Sequence, residues 1–129
     1  MNDIALLSRN NLTGKRVIEQ FRQFFSKAQV YFDPKFPEDV WIDSGAETIF
    51  FQPSLGDQDM SDYELGELPD VGFKPYMSMF TYHTMSFAAE VVKALLPLMG
   101  EGSLVDDEFG HIISAEAFIF KYGKKAEDK

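Results

Sequence analysis

The sequence predicts an α+β fold in which two main helices cover one face of a mostly antiparallel sheet. Two stretches place apolar residues at helical spacing, and several short β-branched and aromatic runs are separated by turn residues. Their order is strand, helix, two or three strands, helix, then a hairpin. Two helices on one face of the sheet satisfy every apolar stripe in that order. The closest simple topology is a ferredoxin-like split β-α-β core with an added C-terminal hairpin and helix.

Ile4-Ala5-Leu6-Leu7 reads as a short strand buried on both faces, ended by Ser8-Arg9-Asn10-Asn11. Thr13 is placed as a helix N-cap, with Leu12 and Val17 spaced as a hydrophobic staple. Val17, Ile18, Phe21, Phe24, Phe25 and Ala28 then predict an amphipathic helix over about residues 14–27. Residues 29–33 fit a short strand or an extended connection, and Pro34 and Pro37 stop any helix there. Val40-Trp41-Ile42-Asp43 and Glu47-Thr48-Ile49-Phe50-Phe51 form a hairpin around Ser44-Gly45-Ala46.

Residues 76–82 make another strand, covered on both faces because Met77 and Met79 oppose Tyr76, Phe80 and Tyr82. Thr84 caps the second helix, whose stripe is Phe87, Ala88, Val91, Val92, Leu95 and Leu96 and which Pro97 and Gly100 end. Leu104-Val105-Asp106 and His111-Ile112-Ile113 flank a turn containing Gly110, and Ser114 caps a short final helix through about Tyr122. At 129 residues the expectation is one α+β domain over 1–123, with a frayed charged tail over 124–129. There is no internal repeat.

The formal net charge is −9, but it is not spread evenly. Residues 1–37 carry six bases and three acids, a net of +3, and residues 71–129 carry six bases and eight acids, a net of −2. Residues 38–70 carry ten acids and no Lys or Arg. Most of these lie in the long connection 52–74, where Leu55, Met60, Tyr63, Leu65, Leu68, Val71 and Phe73 interleave with them. A connection this long is uncommon in a compact domain unless it is functional or disordered. Carboxylates with apolar anchors suit a docking surface for a basic, partly apolar protein, and Asp57, Asp59, Asp62, Tyr63, Glu64, Glu67 and Asp70 are the candidate partner-binding residues. The alternative is a solvated loop that only aids solubility. Nucleic acid and anionic membrane surfaces are disfavoured as partners because they repel acidic charge.

Calcium is the rival reading, since Asp57-Gln58-Asp59-Met60-Ser61 begins like an EF-hand loop. Position six is Asp62 where Gly is required, and position twelve is Leu68 where a bidentate Glu belongs. The chain has no Cys, which excludes disulfides, thiolate-bound zinc and thiol nucleophiles. The acidic, weakly apolar N-terminus does not resemble a signal peptide, and the chain reads as cytoplasmic. No serine elbow, phosphate loop or cofactor motif occurs, so no catalytic residue, metal or cofactor is assigned. An enzyme or metal-dependent domain would have to be built on His83 or His111, the only histidines. A homodimer through an exposed edge strand or the Met77/Met79 face is a further alternative.

Residues 87–96 (Phe-Ala-Ala-Glu-Val-Val-Lys-Ala-Leu-Leu) and 104–114 (Leu-Val-Asp-Asp-Glu-Phe-Gly-His-Ile-Ile-Ser) resemble the helix and hairpin of several small acidic bacterial toxin-immunity-type proteins. Such proteins present an acidic surface to the basic active site of a toxin. The resemblance implies an inhibitor or immunity factor rather than an enzyme.

Overall fold

Ile4, Ala5, Leu6 and Leu7 offer no polar side chain to either face of a strand, and all four are fully buried in the computed structural model. They form the middle of β1 (Asn2–Ser8), an interior strand of a seven-stranded sheet. The structure describes residues 2–53, 72–73, 75–107 and 112–123. Along the chain follow α1 (Gly14–Phe24), β2 (Gln29–Phe32), β3 (Val40–Asp43), β4 (Thr48–Gln52), β5 (Tyr76–Tyr82), α2 (Met85–Met99), β6 (Leu104–Asp106), β7 (Ile112–Ser114) and α3 (Ala115–Tyr122).

The sheet runs β2-β3-β4-β5-β1-β6-β7, and every neighbouring pair is antiparallel. The fold is therefore α+β with an antiparallel sheet. β5, α2 and β6 make a split β-α-β unit with β1 inserted between its two strands. Residues 29–32 pair with β3 rather than running as a connection, which widens the sheet by one edge strand.

Period-two alternation assigns each strand residue to a face. Ile4, Leu6, Val40, Ile42, Ile49, Phe51, Phe80, Tyr82 and Val105 share the face on which all three helices pack, against Val17, Ile18 and Phe21 of α1, Val91, Val92 and Leu95 of α2, and Phe118 of α3. Phe21 meets Phe51 edge-on, with ring centroids 5.9 Å apart and planes at 88°. Burying each such ring is worth about 1.5–3 kcal/mol. The opposite face holds a smaller cluster of Ala5, Leu7, Met77 and Leu104.

Thr13 caps α1 by accepting from the Arg16 N–H, and Leu12 and Val17 are both buried beside it. The helix stops at Phe24, three residues short of the expected end at 27, because Phe25 leaves helical geometry (φ −110°, ψ 63°). Its ring still continues the stripe, 5.9 Å from Phe21 and 5.6 Å from Phe87.

The second helix ends at Met99 with Gly100 as its C-cap, as expected, but passes through Pro97 instead of stopping there. Proline there cannot donate to the carbonyl of Lys93 and its ring crowds that carbonyl, at a point where Lys93 is exposed. Asn10 collects carbonyls at the end of α2, its backbone N–H donating to Met99 O at 2.9 Å and its Nδ2 to Leu98 O at 3.2 Å. Ser114 caps α3 by accepting from the Ala117 N–H at 3.0 Å. The turn around Gly110 and the tail 124–129 lie outside the described residues. No helix among the described residues is long and apolar enough to cross a membrane.

Candidate functional site

On the face away from the helices, strand register builds a row of aromatic side chains. Tyr31 of β2 lies opposite Trp41 of β3, Trp41 opposite Phe50 of β4, and Phe50 opposite Thr81 of β5. The Trp41 and Phe50 rings lie 4.5 Å apart with planes 35° from parallel. Tyr31, on the edge strand, is 40% exposed, while Trp41 and Phe50 are half-buried. The next row along these strands is polar, running Gln29, Asp43, Thr48.

The other side of the aromatic row is acidic. The Asp33 N–H donates to Asp39 O at 2.9 Å, so the two continue the β2–β3 ladder by one pair. Asp33 Oδ2 accepts from the indole Nε1–H of Trp41 at 2.8 Å, and its Oδ1 accepts from the backbone N–H groups of Lys35 and Phe36 at 2.7 and 3.0 Å. These bonds, the indole's first, hold the Asp33 carboxyl below the ordinary carboxylate range, with the Lys35 charge adding to them. Burial pushes the Asp39 carboxyl up, assisted by the negative charges of Asp33 and Glu38. Asp43 accepts from the Gly45 N–H at 3.0 Å, which turns the β3–β4 hairpin.

The described strands carry charge of one sign, whereas the helices carry both, with Glu19, Glu90 and Glu116 beside their bases. The seven strands contain Asp3, Asp43 and Asp106 and no Lys or Arg, and all three acids fall on the face away from the helices. Lys15, Arg16 and Arg22 lie on α1, Lys93 on α2 and Lys121 on α3. Arg9, Lys27 and Lys35 sit in connections, with the Arg9 guanidinium 4.8 Å above the Phe73 ring.

Asp57, Asp59, Asp62, Tyr63, Glu64, Glu67 and Asp70 lie outside the described residues, as does His111. The flanks of their connection are described: Gln52 ends β4 opposite Met79 of β5. His83 is exposed at the start of α2, where its backbone N–H donates to Glu47 Oε1 at 3.3 Å. Among the described residues, no three His, Asp or Glu side chains converge as metal ligands. Met77 is buried and Met79 half-buried on β5, which is paired on both sides by β1 and β4.

Two clefts meet at Ser44. One of about 300 Å³ is lined by Phe24, Phe25, Ser26, Lys27, Ala28 and Ser44, and one of about 190 Å³ reaches Glu47, Thr84, Phe87 and Glu90. Glu47 already fills the donor end of α2 in the second of them.

Sequence reading missed the aromatic row because its members come from three strands and only the pairing register aligns them. Its one local signal is the alternation in Val40-Trp41-Ile42-Asp43, which puts Trp41 and Asp43 on the same side. Comparison of the chain with protein families, curated proteins and solved structures found no match.

Proposed function

We propose that the chain is a non-enzymatic acidic binding protein that engages a basic protein partner, in the manner of an inhibitor or immunity factor. The observation that carries this reading is a sheet face of one sign: the acids of the described strands share the face away from the helices, and no Lys or Arg belongs to those strands. The uncompensated acids of residues 38–70 add to it, and their connection leaves the sheet at Gln52. A one-signed face raises the encounter rate with an oppositely charged protein and selects against acidic ones.

The test is affinity capture from native lysate at low and high salt, with mass spectrometry of the eluted proteins. A basic partner retained at low salt and released at high salt is expected, because exposed charge pairs are screened. Changing Asp57, Asp59, Asp62 and Glu64 together to Asn or Gln should weaken that capture. Salt-insensitive capture, or capture unchanged by the four substitutions, would overturn the reading.

A further inference from the structure

We propose that the row Tyr31, Trp41, Phe50 is a docking platform for an arginine-bearing extended segment of a protein partner, each guanidinium stacking on a ring between flanking carboxylates. The proposal rests on the basic-partner reading and names the surface and side chain that would serve it.

Three features of the face select this occupant. Trp41 and Phe50 stack on each other, centroids 4.5 Å apart and planes 35° from parallel, so the ring surface left for a guanidinium is the Trp41 face turned toward β2 together with the exposed Tyr31 ring, one strand spacing of about 4.8 Å away. Carboxylates border the strip on both sides, Asp33 and Asp39 beyond one margin and Asp43 beyond the other. No Lys or Arg belongs to the described strands that form it. A phosphate-bearing ligand would meet these carboxylates as like charges, and a neutral one would leave their charge unmatched.

Arginine fits better than lysine. The guanidinium is planar, weakly hydrated and always charged, so it stacks on an indole face while its edge N–H groups bond carboxylate oxygens. Trp41 is already oriented for that role. Its Nε1–H is tied to Asp33, which fixes the ring plane and places a carboxylate at the ring edge before any partner arrives. Tyr31, 40% exposed on the outermost of the described strands, extends the row toward solvent. Lys35, whose charge reaches Asp33, is the intramolecular competitor for this border.

Trp41 is the only tryptophan, so its emission reports on the site directly. The full chain is titrated at low salt with a synthetic Arg-Gly repeat peptide, with Lys-Gly and citrulline-Gly peptides of equal length alongside. The arginine peptide should change the emission saturably, the lysine peptide should bind several-fold more weakly, and the citrulline peptide should leave it unchanged. By anisotropy of labelled arginine peptide, Trp41→Leu should lower affinity about tenfold and the exposed Tyr31→Ser a few-fold, while Lys35→Gln should raise it. Circular dichroism of each variant separates lost binding from lost folding, and Tyr31→Ser keeps the test open if Trp41→Leu does not fold.

Arginine-peptide affinity unchanged in folded Tyr31→Ser and Trp41→Leu overturns the platform and leaves the basic-partner reading standing. Equal binding of the citrulline peptide overturns the cation assignment. Emission that changes with protein concentration alone, with sedimentation showing a dimer, assigns the strip to a second copy and overturns it as well. No arginine-peptide binding alongside salt-sensitive capture of a basic protein overturns the platform alone. Failure of both removes both.

Discussion

Glu47 supports a helix whose N-cap, Thr84, lies 37 residues later in the chain: its Oε2 accepts from the Thr84 hydroxyl at 2.6 Å. Its Oε1 accepts from the backbone N–H groups of Thr84 and His83 at 3.1 and 3.3 Å. α2 has no acidic residue in its own first turn, so the β3–β4 hairpin supplies the negative charge that the helix N-terminus favours. Glu47→Ala should cost about 1–2 kcal/mol of stability, and Thr84→Ala about 1 kcal/mol. Because the two share a hydrogen bond, the double variant should lose less than the two losses combined. Urea unfolding of the four proteins measures this cycle.

Gly14 opens α1, where alanine would ordinarily be the better helix former. A Cβ on Gly14 would overlap the backbone carbonyl of Glu38, in the connection between β2 and β3. That neighbour is main chain and cannot rotate away as a side chain would. Gly14→Ala should therefore destabilise the protein by about 1–3 kcal/mol, opposite in sign to helix propensity. A lowered urea midpoint with an unchanged m-value is the expected signature.

Sequence alone carried the elements further than their arrangement. β1 was legible because four consecutive apolar residues leave no solvent face, and α1 because its stripe repeats every three to four residues. The end of α1 was not, since Phe25 keeps the stripe after the backbone has left the helix. Pro97 misled for the converse reason: it marks a helix end in sequence, yet the backbone stays helical for two residues beyond it, to Met99. The acidic connection announced itself through composition, whereas the Tyr31–Trp41–Phe50 strip exists only once β2, β3 and β4 are in register. Alternation assigns a residue to a face but not to a neighbour.

The two aspartates that pair beyond β2 and β3 should respond to acid with opposite signs. Asp33 has a depressed native pKa, so its stabilising contribution is complete above the unfolded value of about 3.9 and is lost as pH falls through the native value. Asp39 has a raised native pKa, so it favours folding at low pH and that contribution is lost as pH rises through the native value. Asp33→Asn should lower stability at neutral pH, and Asp39→Asn should raise it. Both differences should shrink in acid, as unfolding midpoints measured at pH 7 and at about pH 3 would show.

Two buried serines should answer the same substitution in opposite directions. Ser78 lies on the helix-facing side of β5 opposite Leu6, is 1% exposed, and its hydroxyl has no hydrogen-bond partner among the described residues. A buried hydroxyl without a partner costs about 1–3 kcal/mol, so Ser78→Ala should raise stability by about 1 kcal/mol. Ser103 is equally buried, but its oxygen accepts from the Arg9 N–H at 3.1 Å and lies 3.0 and 2.7 Å from the carbonyls of Met99 and Gly100. It joins the end of α2 to the end of β1 at a point where Gly100 holds φ +92°. Ser103→Ala strands an N–H and a carbonyl at once and should lower stability by about 1–2 kcal/mol. Urea midpoints that move in the same direction for both variants would contradict the partner assignment at one of the two sites.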